Sequence, residues 1–246
     1  MRIAVLADIH GNLHALEAVL RDLRRMAPDI VLNLGDCVSG PLDAGGTARR
    51  LMDLGWPTVR GNHDRWVVRQ APAEMGLSDA AARARLDDTA LGWLAALPVA
   101  RTVEGLLLVH ATPTSDTTYL CETATPAGVV ASAEPEIAAR LGAVNERFVL
   151  TAHTHLPRLV RLASGVTIVN PGSVGLPAFD DDTPMPHVVE NGSPHARYAL
   201  LDRAADGWRA SFEAVEYDWD AAARLAATNR RPDWAHALAT GFALRF

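Results

Sequence analysis

The chain has 246 residues, 49% of them hydrophobic and 21% charged, with a formal net charge of −6. That length can bury a full core, and the acidic balance excludes a global basic field that would draw the protein to long nucleic acids or anionic membranes. All 23 basic residues are arginine, which excludes lysine Schiff-base and lysine-nucleophile chemistry.

Cys37 and Cys121 are too far apart in sequence to form a metal-type pair, and such sparing use of cysteine fits a reducing, cytoplasmic location. No apolar run approaches the roughly 20 residues of a membrane-spanning helix, so no membrane partner is expected. The opening apolar run reaches Asp8 too soon for a signal peptide and reads as a strand.

In chain order, residues 2–7 are nearly continuously apolar, the mark of a strand buried on both faces. Leu13, Leu16, Val19, Leu20 and Leu23 recur at helical spacing, and Pro28 ends that segment. Residues 30–34 read as a second buried strand, which predicts a parallel β-α-β opening. A helix over 47–54 leads to a third strand at 58–60 and to a loop carrying Gly61-Asn62-His63-Asp64. Residues 64–97 are helical in character, with a break near Pro72 and Gly76.

Two hairpins are predicted, 99–103 with 106–109 and 159–162 with 166–169, turning at Glu104-Gly105 and Ser164-Gly165. Between them lie a loop over 112–126, a helix around 134–141 and a strand at 148–150. The stretch 179–194 contains three consecutive acids and several prolines and glycines, and reads as a long surface loop. Strands at 198–201 and 208–212 close the sheet, and residues 215–246 form a helical extension with an apolar tail. The order predicts an α/β (α+β) fold in one domain over 1–246: a four-layer α-β-β-α sandwich of two mixed sheets flanked by helices.

Asp8, His10, Asp36, Asn62, His110, His153 and His155 each stand just past a strand-like run, where α/β proteins build their sites. Three oxygen donors and four imidazoles suit divalent first-row metals better than magnesium or calcium. Asp8 and His10 are two apart, as are His153 and His155, so on extended chain each pair shares a face. Seven donors exceed one tetrahedral ion but fit two ions sharing a carboxylate, for which Asp36 is the choice. Two such ions can bind phosphate oxygens and lower the pKa of water to about 7. His63, beside a donor and not needed as one, is the candidate general acid. Asp64 is expected to serve local hydrogen bonding. Acids 180–182, His187 and His195 read as solvated, and Cys37 as packing behind the site. Arg65, Thr114, Ser115 and Tyr119 are candidate pocket residues.

Asp-x-His, Gly-Asp, Gly-Asn-His-Asp, a lone His and His-x-His, in that order through residues 1–175, resemble the calcineurin-like metallophosphoesterase family. With Asn170-Pro171-Gly172-Ser173, the chain is most similar to its small bacterial phosphodiesterase branch. The resemblance implies a dinuclear site with Asp8, His10 and His155 on one metal, Asn62, His110 and His153 on the other, and Asp36 between them. It also implies that His63 is the general acid and that Gly11, Asn12 and Gly172 shape the phosphate pocket. The metals expected are manganese first, then iron, zinc, cobalt or nickel.

Two departures stand out: Ala152 replaces the usual Gly before His-x-His, and Ser39-Gly40 replaces the Asp-Arg pair of the protein phosphatases. That removes a second arginine clamp and the acid that supports the catalytic histidine. The expected activity is hydrolysis of phosphodiester bonds in small nucleotide-type substrates by a metal-activated hydroxide. The alternatives are a phosphomonoesterase, a dinucleoside polyphosphate hydrolase, a nuclease, and, of another class, a non-catalytic scaffold of the same fold. A homo-oligomer is left open.

Overall fold

The computed structural model describes residues 1–205 and 207–244. β1 (Arg2–Leu6), α1 (Leu13–Met26) and β2 (Ile30–Asn33) form the predicted β-α-β unit, with β1 and β2 parallel. α2 (Ala44–Leu54), α3 (Asn62–Arg69), α4 (Leu77–Arg83) and α5 (Asp88–Ala96) follow. Next come β3 (Ala100–Val103), β4 (Leu106–Val109), β5 (Glu122–Thr125), β6 (Gly128–Ala131), α6 (Glu134–Leu141) and β7 (Phe148–Leu150). β8 (Arg158–Arg161), β9 (Thr167–Asn170), β10 (Ala178–Asp181), β11 (His187–Glu190), β12 (Ala196–Ala204) and β13 (Gly207–Val215) precede α7 (Trp219–Thr228) and α8 (Pro232–Thr240).

One sheet has the order β13-β12-β1-β2 and the other β3-β4-β7-β9-β8. Period-two alternation sorts their side chains into three apolar layers. Ile3, Val5, Ala199 and Leu201 meet Leu106, Leu108, Leu150 and Val169 between the sheets. Ala4, Leu6, Tyr198 and Leu200 face outward and join α1, α2, α7 and α8 through Leu16, Ala48, Ala222 and Leu238. Val109, Val149 and Ile168 pack outward against Ile137 and Leu141 of α6. Three interlayer cores define four layers, α-β-β-α. Among the described residues no helix is long and apolar enough to cross a membrane.

Five local expectations are corrected. Residues 58–60 make only an isolated parallel bridge, Asn33 with Thr58, because the Arg60 amide turns away to the Pro98 carbonyl. The Gly61-Asn62-His63-Asp64 loop is the first turn of α3: Asp64, at the third helical position, accepts the Gly61 amide at 3.0 Å, an N-terminal cap. The expected loop over 112–126 contains β5, paired with β6, because Glu122 is buried against Arg158 at 2.7 Å. Most of the stretch 179–194 is the β10–β11 hairpin, with an exposed turn over 182–186 and with Val189 and His187 facing inward. His187, expected to be solvated, lies 2.9 Å from the Tyr119 hydroxyl.

The helical extension contributes α7 and α8 to the first outer core, through Ala222, Ala226, Trp234 and Leu238. The end of its apolar tail, Arg245 and Phe246, lies outside the described residues.

Candidate metal centre and cleft

β1 and β2 run parallel, as do β4, β7 and β9, so their carboxyl ends gather along one edge of the sandwich. The segments leaving those ends carry Asp8 and His10, Asp36, His110, and His153 and His155. Left-handed backbone is concentrated there: five of the eight described non-glycine residues with positive φ are Asp8, His10, Asp36, His153 and His155. Such conformations cost of order 1–3 kcal/mol each and persist where a site dictates them.

The donors form two buried groups, Asp8 with His10 and His155, and Asp36 with His110 and His153; within each, the ligand atoms lie within 4.8 Å of one another. Each of the four donor histidines has one ring nitrogen tied to a backbone carbonyl. His10 Nδ1–H donates to Ser39, His110 Nδ1–H to Leu34, His155 Nδ1–H to Leu176 and His153 Nε2–H to Thr117, at 2.8–3.1 Å. The other nitrogen therefore faces inward with its orientation fixed, the arrangement that metal-ligating histidines adopt. His10 Nε2 and His155 Nε2 confront each other at 3.1 Å, and both Asp8 oxygens are buried with no hydrogen-bond partner. Two facing lone pairs and an orphaned carboxylate are unfavourable together unless a cation lies between them.

In the second group Asn62 Oδ1 is 2.9 Å from His110 Nε2. The tip of that amide is also within 3.3 Å of Asp36 Oδ2, His153 Nδ1 and the Asp116 carbonyl, a ring of acceptors suited to a cation. Asp36 stands between the groups. Its Oδ1 accepts the His63 amide at 3.0 Å from the α3 N-terminus, while Oδ2 is 3.2 Å from His110 Nε2 and 3.9 Å from His10 Nε2. The donor set thus fits two divalent cations sharing one carboxylate.

The electrostatics follow burial. Desolvation pushes His10 down to about 4 and His153 to about 3, and holds His155 well below the usual range, so these three are neutral donors. Burial also raises Asp8 well above the usual carboxylate range. For His110 burial works downward, but Asp36 outweighs it and lifts the imidazole to about 10. A proton there does for the pair what a cation does, and metal uptake must displace it.

His63 lines the cleft. Burial again works downward, but the Asp36 and Asp79 carboxylates lift His63 to about 9, so it carries a proton at neutral pH. Its Nδ1 is 2.8 Å from Asp79 Oδ1 and 3.2 Å from Ser39 Oγ, and the Ser39 hydroxyl donates to the same Asp79 oxygen at 2.7 Å. The supporting acid that is absent at positions 39–40 is therefore supplied by α4. No spacing signal marked Asp79, which arrives through the packing of one helix against another.

Asp64 does the hydrogen bonding expected of it, accepting the amides of Asp36, Cys37 and Gly61. Cys37 is buried behind the site.

The residues expected to shape the phosphate pocket do not line the cleft. Asn12 caps α1 through the Ala15 amide and donates to the Gly175 carbonyl, which commits its side chain to the fold. Gly11 and Gly172 sit in turns with φ +66° and +81°. Arg65 is paired bidentately with Asp116 at 2.7 Å, Tyr119 is bonded to His187, and neither they nor Thr114 and Ser115 reach the cleft. The cleft wall is built instead by residues that sequence reasoning passed over, among them Trp66, Phe179, Arg231 and Trp234.

The calcineurin-like phosphoesterase superfamily domain matches residues 1–191. An uncharacterized protein of Methanocaldococcus jannaschii is 25% identical over 262 residues, covering 94% of each chain. The crystal structure of a metallophosphoesterase from Sphaerobacter thermophilus is similar with a TM-score of 0.76 and 25% identity, covering 98% of this chain and 99% of that one. A candidate diadenosine tetraphosphatase shares the fold at a TM-score of 0.55 and 18% identity, over 88% of this chain and 94% of the other. With its sandwich, its paired donor groups and a family match spanning most of its length, the chain belongs to the calcineurin-like phosphoesterase superfamily.

Proposed function

We propose that this chain is a dinuclear metal-dependent phosphoesterase that hydrolyses phosphodiester bonds of small nucleotide-type substrates. The observation carrying the reading is the placement of Asp36 Oδ2 between two groups of buried donors whose free atoms face inward, with the His63 amide on its other oxygen. Asp8, His10 and His155 would hold one cation and Asn62, His110 and His153 the other, with Asp36 shared; manganese is the favoured occupant. Bound cations would neutralise the phosphoryl oxygens and make water acidic enough to attack near neutral pH.

The chain's own residues do the rest. Asp79 and Ser39 hold Nδ1 of His63, which leaves Nε2 as the nitrogen that hands its proton to the departing oxygen. The carbonyls of Ser39, Leu34, Leu176 and Thr117 fix the four donor imidazoles, so no reorganisation accompanies the reaction. The complete donor set and the protonated His63 favour an enzyme over a scaffold of the same fold. The departing oxygen is an alkoxide whether the substrate is a diester or a monoester, so the Asp–Ser–His arrangement serves both.

Elemental analysis of wild type and Asp36→Asn tests the reading. Two divalent ions per chain in the wild type and loss from both halves in the variant are expected. Full metal content in Asp36→Asn would remove Asp36 from its shared position.

A further inference from the structure

The cleft above the donors encloses about 520 Å³ and has two unlike halves. The floor is polar, with His10, Asp36, Asn62, His63, His153 and His155. The adjoining wall includes Trp66, Leu176, Phe179, Trp234, Ala237 and Leu244. Three aromatic rings lean toward the floor: Phe179 lies 4.7 Å from the His155 ring, Trp66 4.8 Å from His63 and Trp234 6.0 Å from His10. They therefore border the space into which a substituent of a phosphate held at the donors would extend.

The rings are held by their packing. Trp234 is 6% exposed, and its indole fills space that a side chain at Gly40 would need: a Cβ there would fall 2.6 Å from the indole. α8 is in turn anchored to the fold, as Arg231 donates to the Ser78 hydroxyl of α4 at 2.9 Å. The tail after α8 is anchored to the β10–β11 hairpin, as the Ala243 amide donates to Glu190 at 3.0 Å.

The charges on this wall are as informative as its rings. Asp180, Asp181 and Asp233 line it, and among the described lining residues Arg231 is the one guanidinium. That guanidinium is engaged, with Asp233 at 2.6 Å and Ser78 at 2.9 Å. A polyphosphate chain leaving the metal centre would need cations or converging amides along its path. It would meet carboxylates and indole faces instead.

We propose that this wall is a subsite for a flat, uncharged aromatic group, of nucleobase type, on an alcohol esterified to a single phosphate. The C-terminal extension, which supplies Trp234, Ala237 and Leu244, is then a specificity element. The proposal rests on the phosphoesterase reading and adds to it the exclusion of polyphosphate chains.

The test is calorimetric binding to manganese-loaded protein, which requires no turnover. The probes are methyl, cyclohexyl and 1-naphthyl phosphonate, alike in the head group, and inorganic tripolyphosphate. The naphthyl probe is expected to bind tighter than the methyl probe by roughly 5- to 100-fold, the range of one to a few aromatic stacking contacts. Phe179→Leu keeps the apolar volume and loses the flat face, so it should erase most of that ratio at unchanged metal content; Trp234→Leu is the second variant.

Equal binding of methyl and naphthyl probes would overturn the subsite while leaving the phosphoesterase reading in place. Cyclohexyl matching naphthyl would overturn its selectivity for flat groups, and tripolyphosphate binding tighter than naphthyl would overturn the exclusion of polyphosphates. If no phosphonate bound to metal-loaded protein and no ester were hydrolysed, the phosphoesterase reading would fall, and this proposal with it.

Discussion

The Asp79 carboxylate lies 2.8 Å from Nδ1 of His63, although the two stand 16 positions apart and on different helices. Asp79 is 3% exposed and Ser39 closes the arrangement, so the imidazole is oriented from behind by two buried groups. His63→Ala should leave metal content intact and slow turnover by about 10²–10⁴, the usual worth of a general acid. Asp79→Asn loses a charge-assisted hydrogen bond of about 1.5–3 kcal/mol, so kcat should fall roughly 10- to 100-fold with KM nearly unchanged. A rise in KM with kcat intact would place Asp79 in substrate binding instead.

Gly61 matters for space and not for φ. Its φ of −83° suits any residue, but a Cβ there would lie 2.0 Å from Asp36 Oδ1 and 2.6 Å from the Asp36 amide. Gly61→Ala must therefore push Asp36 off the α3 N-terminus. Stability should drop by about 1–3 kcal/mol, typical of overpacking, together with metal affinity. Denaturant unfolding and metal titration on the same variant check both; wild-type metal affinity in a folded Gly61→Ala protein would refute the link.

The first turn of α8 should be acid-sensitive, because Asp233 pairs there with Arg231. Burial alone would raise Asp233, but hydrogen bonding and charge from Arg231 outweigh it and hold the carboxyl below 3.8. A depressed carboxylate contributes stability that is present above its unfolded value and lost as pH falls through its folded value. The thermal midpoint of the wild type should therefore fall below about pH 4. Asp233→Asn should be less stable at neutral pH and show a shallower fall. Parallel acid limbs for the two proteins would mean that the Arg231 pair contributes nothing measurable, as many partly exposed ion pairs do.

Neither thiol should be reactive in the native state. Burial raises Cys121 to about 12 and Cys37 well above the usual thiol range, and both are at most 2% exposed. Iodoacetamide at pH 8 should modify fewer than one thiol per folded chain and both after denaturation. Rapid labelling of native protein would contradict their buried placement.

Six of the candidate donors come together legibly because each follows an apolar run that becomes a strand, and parallel strands bring their ends to one edge; Asn62 instead follows residues 58–60, which make only an isolated bridge. The hairpins about Glu104-Gly105 and Ser164-Gly165 were legible from alternation and glycine. What sequence did not reveal comes from contacts between distant segments. Asp79 and Trp234 reach the site from helices whose local pattern is ordinary amphipathic packing. The β10–β11 hairpin was masked by Asp180-Asp181-Asp182 and its prolines, although Phe179 and Val189 bury its inner face. Asn12 stands just past His10, and its proximity to the donors concealed its work as the cap of α1.

The central claim, metal-dependent phosphodiester hydrolysis with His63 as proton donor, is tested most directly by one comparison. Manganese-loaded wild type and His63→Ala are assayed on a 4-nitrophenyl phosphodiester and on the matching monoester. The account predicts wild-type turnover of the diester above that of the monoester, abolished by a chelator, and reduced about 10²–10⁴-fold in His63→Ala at equal metal content. A monoester preference, or diester turnover that survives His63→Ala unchanged, would contradict it.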